Sequence, residues 1–141
     1  MSIDRLLEQG KIHRFKATQD EIKKSLEIAE RDLSVAEKIF QDDLDWCFSI
    51  GYNAIFQACR AYMFSLGYRP TSTEAHKAVF EFMEATIEQP YKDMITYFDR
   101  ARRKRHRTIY NEVGLVSKEE AKQLLQMAKD FITEMGKRLK K

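Results

Sequence analysis

Five glycines and two prolines are spread over 141 residues, and this shortage of turn residues restricts the fold more than any other feature. Sandwiches, barrels and doubly wound sheets reverse direction every ten or so positions and need such residues at the corners. A chain that turns this seldom is built from long helices. Its length suffices to bury a core without disulfides or a structural metal. With 43% hydrophobic and 33% charged residues, it is neither a disordered nor a collagen-like polymer.

The periodicity agrees. Thr18-Gln-Asp-Glu21 is a capping box, and Ile22, Leu26, Ala29, Leu33, Ala36 and Phe40 follow at spacings of three and four, which predicts a first long helix ending near Gln41. Asp42, Asp43 and Asp45 start a second, apolar on nearly every face from Trp46 to Leu66, so it is expected at the centre of the molecule. Gly67 is placed to end it and Pro70 to prevent its continuation. Ser72 or Thr73 is expected to cap a third helix with Ala75, Val79, Phe82 and Met83 as its stripe. Pro90 opens a fourth through Met94, Phe98 and Ala101 to about Asn111, and Gly114 marks the next loop. A second capping box, Ser117 to Glu120, begins a fifth helix through Leu124, Leu125, Ala128, Phe131, Ile132 and Met135. The expected fold is all-α: one domain over 1–141, an antiparallel up-and-down bundle of four to five helices with its core from about 18 to 139, preceded by a minor helix before Gly10.

Several function classes drop out. The longest uncharged run, Trp46 to Cys59, is 14 residues, too short to span a bilayer, and the first fifteen residues lack the apolar stretch of a signal peptide. Cys47 and Cys59 fall twelve residues apart on one helix, about 18 Å by its rise, too far for a disulfide. No CxxC, HExxH, glycine-rich phosphate loop or GxSxG elbow occurs, and His13, His76 and His106 are far apart in sequence. No metal and no cofactor are expected, and a reduced, cytoplasmic protein is the default.

Charge is the informative quantity. Arg100 to Arg107 reads RARRKRHR, which holds six of the chain's 25 Lys+Arg and none of its 22 Asp+Glu. The formal net charge of +3 therefore conceals a mildly acidic body carrying one cationic helix. On that helix Met94, Phe98, Ala101 and Ile109 form the expected apolar stripe, and Arg105 lies on the stripe between the last two. Two readings of Arg105 stay open: a guanidinium facing a wet groove or subunit interface, or one paired with a buried acid, Asp43 or Asp45 being of the right type. Arg102, His106 and Tyr110 ascend one flank at i, i+4 and i+8. Arginines beside an imidazole and a phenol suit a phosphodiester: the arginines neutralise phosphate charge, the imidazole moves a proton, and the phenol stacks on a base or holds a phosphate oxygen. The plainer reading of the run is a solvated helix face. His76 is expected to be structural, and Trp46, Phe48, Tyr52, Phe56, Tyr62 and Phe64 to be core packing.

The order of these parts resembles the HEPN family of small all-α domains over roughly 18 to 139. The resemblance is carried by IKKSLEIAERDL, by DWCFSIGYNAIFQACRAYMFSLGY, by the His-led HKAVFEFM and by RRKRHRTIY. It implies an R-x4-6-H motif which, in active members, supports metal-independent RNA cleavage across a homodimer cleft. Three alignments are open. Arg105-His106 matches the Arg-polar pair, with Tyr110 standing where active members keep His. Arg100 with His106 satisfies the spacing, and Arg103 with Tyr110 fits R-x4-H-x-Y with Thr108 in place of the His. The first is preferred because it puts Arg105 on the inward stripe. It gives Arg105, His106 and Tyr110 as catalytic candidates, with Arg100, Arg102 and Arg103 as phosphate ligands. The Tyr-for-His exchange resembles the branch found beside minimal nucleotidyltransferases, which implies a toxin-type protein of a toxin–antitoxin-like pair, acting on RNA or nucleotides, with Tyr110 as an acceptor for the transferase. The alternative is a non-catalytic dimeric module that binds nucleotide or protein.

Overall fold

The computed structural model describes residues 2–71 and 74–140. In chain order the elements are α1 (Ile3–Glu8), β1 (Ile12–Arg14), α2 (Gln19–Ile39), α3 (Leu44–Ser65), β2 (Tyr68–Pro70), α4 (Ala75–Thr86), α5 (Tyr91–Tyr110) and α6 (Lys118–Leu139). The fold is all-α apart from one small ribbon, with the five main helices where the periodicity puts them and α1 as the minor N-terminal helix.

Both capping boxes form. Glu21 N–H donates to Thr18 Oγ1 and Thr18 N–H to Glu21 Oε1, each at 3.1 Å, and Ser117 and Glu120 exchange the same pair of bonds ahead of α6. Each cap is worth about 1 kcal/mol, and each sets where its helix enters the bundle. Asp43 caps α3 by accepting the Trp46 N–H at 2.9 Å. Gly67 follows the end of α3 at φ +94, a conformation that a side chain would strain. The expected caps of the third helix, Ser72 and Thr73, lie outside the described residues. The position preceding α4 is Glu74, at φ 50 and without a side-chain cap.

α3 occupies the centre, packed against α2, α6, α5, α4 and β2. Cys47, Tyr52, Ile55, Cys59 and Met63 are wholly buried on different sides of it, and both cysteines are free. Three helices approach closely at Gly51. A Cβ there would lie 3.3 Å from Leu124 Cδ2, 3.4 Å from Leu125 Cδ2 and 3.8 Å from Ala36 Cβ, so α2, α3 and α6 meet at one hydrogen-sized gap. A buried polar bridge fixes the α2–α3 register: Asn53 Nδ2 donates to Asp32 Oδ2 at 2.6 Å, while Arg31 donates to Asp32 Oδ1 through Nε and Nη2.

Two expectations need correcting. The ribbon was not foreseen. β1 pairs antiparallel with β2, Ile12 opposite Pro70 and Arg14 opposite Tyr68; three-residue strands are too short to show an alternation, and their pairing depends on α3 bringing the two segments together. Trp46, expected in the core, is 56% exposed. It lies on the one side of α3 left half-open along the helix, in line with Ile50, Asn53, Gln57, Arg60 and Phe64.

Placing a β-branched side chain at Gly51 overfills the three-helix contact, and the expected loss is about 1–3 kcal/mol. Chemical denaturation of Gly51→Val against wild type, with the m-value unchanged, measures it.

Candidate functional site

The inner face of α5 differs in detail from the expected stripe. Ile95, Phe98, Ala101 and Thr108 are its buried residues, whereas Met94 and Ile109 are half-buried. The shift arises because α5 packs on both α3 and α4, so its buried arc follows the groove between them. Arg105 remains on this arc, half-buried between Ala101 and Thr108.

Arg105 does not pair with Asp43 or Asp45. Asp43 caps α3, and Asp45 accepts the Gly114 and Val116 N–H groups at 2.7 and 3.2 Å, which ties the α5–α6 loop to the start of α3. The guanidinium instead lies over the ring of Tyr52 on α3, its Cζ 5.5 Å from the centroid, a cation–π contact that holds the charge without neutralising it. Its Nε is shielded from water and has no hydrogen-bond partner among the described residues.

Tyr52 is in turn held by α4. Its hydroxyl shares a 2.8 Å hydrogen bond with His76 Nδ1, and the imidazole stacks on Phe56 at 3.9 Å between centroids and 7° between planes. Burial, with Arg105 and Arg102 adding to it, lowers His76 from the ordinary imidazole value to about 4, so the ring is neutral at physiological pH. Burial also holds the Tyr52 phenol well above its usual range, against the opposing pull of Arg105. His76 therefore has a structural role, as expected, and it is also part of the environment of Arg105. By sequence Tyr52 is core packing only, and no sequence signal links it to a histidine 24 residues away on another helix.

The other cations fall into two groups. Asp99 binds Arg102 Nε at 3.0 Å and approaches Arg103 at 3.8 Å, and Lys104 pairs with Glu120. Arg102 is thus partly neutralised beside Arg105, and its counter-charge, Asp99, which the sequence pattern does not single out, is the residue immediately before the cationic run. Arg100, Arg103 and Arg107 are exposed. His106 and Tyr110 lie together on the outer flank, ring centroids 4.8 Å apart at 47°, with Tyr110 67% exposed. The structure therefore divides the candidate set. Arg105 and Arg102 face the α3–α4 groove with Tyr52 and His76, while His106 and Tyr110 face outward. Among the described residues no group of His, Cys, Asp and Glu is placed to hold a metal ion, and no helix is long and apolar enough to cross a membrane.

A lowered His76 value in the folded state means that the unfolded chain binds a proton more readily, so the group's contribution to stability is present above pH 6.5 and lost as pH falls toward 4. In a histidine NMR titration, the resonance missing from His76→Gln is expected to have its midpoint near 4. Arg105→Gln should raise that midpoint, because it removes a repelling cation from beside the ring.

A comparison with curated proteins gives no match. The model of the HEPN domain family matches residues 22–139, from the first turn of α2 to the last residue of α6, a span that includes the Tyr52–His76–Arg105 arrangement and the whole cationic run. The chain belongs to the HEPN domain family.

Proposed function

We propose that this HEPN protein acts through the phosphates of RNA or a nucleotide, which bind along α5 with Arg105 as the central ligand and Arg102 beside it. One observation carries the reading. Arg105 is a half-buried guanidinium with no acidic partner among the described residues, and fixing a cation in such a position is costly unless an anion completes it. The cation–π contact to Tyr52 and the His76 bond keep the fork in one orientation, and planar recognition of phosphate oxygens requires that. Arg100, Arg103 and Arg107, exposed on the same helix, extend the cationic surface along a polyanion.

HEPN domains commonly dimerise, and a homodimer pairing two α5 helices about a two-fold axis would double the ligand set and line a groove of strand width. In this reading the protein is the toxin-type, RNA-directed member of a nucleotidyltransferase-associated pair. His106 supplies the proton-moving imidazole, and Tyr110 beside it stacks on the substrate or serves as the acceptor for the transferase. The exposure of both rings at 4.8 Å separation supports these roles, since a substrate or partner enzyme reaches them without opening the fold. The same exposure also fits the second reading, a non-catalytic module that binds RNA without cutting it.

The two are separated by incubating purified protein with total RNA in EDTA. The catalytic reading expects cleavage by wild type and its loss in Arg105→Ala and His106→Ala, whereas intact RNA with wild type rejects it. Phosphate binding is tested independently by the salt dependence of RNA affinity. Arg105→Ala should weaken binding and flatten the slope by about 0.7 per contact removed, and a wild-type slope near zero rejects the phosphate reading altogether.

A further inference from the structure

A second feature lies one helical turn from Arg105. Ser49 and Tyr52 are three residues apart on the face of α3 that meets α5, and α5 runs antiparallel to it, so Tyr52 faces Arg105 and Ser49 faces Thr108. Around Ser49 is a cavity of about 200 Å³, lined by Asp43, Asp45, Trp46, Ser49, Thr108 and Val113 among others. Ser49 is 4% exposed, yet its Oγ has no hydrogen-bond partner among the described residues. A buried hydroxyl without a partner costs free energy unless something completes it. At the rim are two large apolar side chains turned toward water, Trp46 at 56% and Val113 at 98% exposed.

From this geometry we infer that the cavity is a nucleobase subsite, taking an amino-bearing base, adenine or cytosine, while the attached phosphate rests on Arg105. The inference builds on the phosphate reading given above. The volume falls below the ~300–1,000 Å³ of sites that enclose whole drug-sized ligands, which suits one planar ring system and leaves the sugar and phosphate outside. The exposed indole face of Trp46 is a stacking platform. The lining is rich in acceptors. Asp43 commits Oδ1 to the Trp46 N–H, its Oδ2 has no hydrogen-bond partner among the described residues, and Asp45 holds the loop N–H groups. Thr108 spends its proton on the Lys104 carbonyl at 2.9 Å. An exocyclic amine donates to such a carboxylate, and the neighbouring unprotonated ring nitrogen accepts the Ser49 hydroxyl proton. Uracil would turn carbonyl oxygens toward the same carboxylates. The cavity and Arg105 are separated by about one turn, roughly 5 Å along the helix, a separation that a ribose bridges.

Trp46 is the chain's single tryptophan, so its fluorescence reports the site directly. The full-length protein is titrated with AMP, UMP and ribose 5-phosphate, and RNA binding is followed against salt in the same buffer. Expected is saturable quenching by AMP, with UMP about tenfold weaker, the effect of one lost hydrogen bond set to a charged group, and no response to ribose 5-phosphate. Ser49→Ala should reduce the preference for AMP over UMP and leave the salt slope of RNA binding intact, while Arg105→Ala should flatten that slope. Equal quenching by AMP and UMP, an AMP preference unchanged in Ser49→Ala, or a signal that follows protein concentration instead of ligand, as when a second copy covers Trp46, overturns the subsite. If RNA binds with a steep salt slope and the tryptophan stays silent, the subsite fails and the phosphate reading stands. If neither RNA nor AMP binds, both fail.

Discussion

The structure depends on α3 being buried on every side but one, the half-open stripe of Trp46, Ile50, Asn53, Gln57, Arg60 and Phe64. A helix with that environment cannot lie at an edge, so α2, α6, α5, α4 and the ribbon strand β2 are arranged around it. The close approach at Gly51 brings three helices to a single point, and close packing there turns small changes in volume into changes in stability. Enclosure also limits what α3 can carry. Its polar groups must find partners within the fold, as Asn53 does with Asp32 and Tyr52 with His76. Ser49 is the exception, a residue that lines a cavity and whose buried hydroxyl has no partner among the described residues.

The same enclosure explains how an arginine comes to be fixed on an otherwise apolar arc. Ordinarily a cation there would be paired with an acid. Here the available acids are committed elsewhere: Asp43 to the α3 cap, Asp45 to the α5–α6 loop, Asp99 to Arg102 and Arg103. Arg105 is left with an aromatic face that attracts the charge without cancelling it. Burial, with the fields of Arg105, Arg102 and Arg60 added, keeps His76 neutral. Burial and a set of arginines led by Arg105 thus set the electrostatics of the groove between α3, α4 and α5.

Much of the fold was legible in the chain because the signals were local. Capping boxes act over four residues and helical periodicity over eight, so α2, α3 and α6 could be placed to within a few residues. The basic run of α5 was legible for the same reason, and so was the conflict that Arg105 creates on an apolar stripe. The ribbon was not, because its strands are too short to show alternation and lie more than fifty residues apart. Nor was the outward position of Trp46, since which stripe of a mostly apolar helix stays open depends on how its neighbours pack around it.

By itself, then, the sequence determined the helical class, the order of the helices and the confinement of positive charge to one of them, since each follows from interactions between residues close in the chain. Only the tertiary structure decided which cations remain without an acid, that Tyr52 and His76 hold Arg105, and that His106 and Tyr110 face away from it. Those outcomes depend on the rotation of α5 in the groove between α3 and α4, a rotation set by packing against helices distant in sequence.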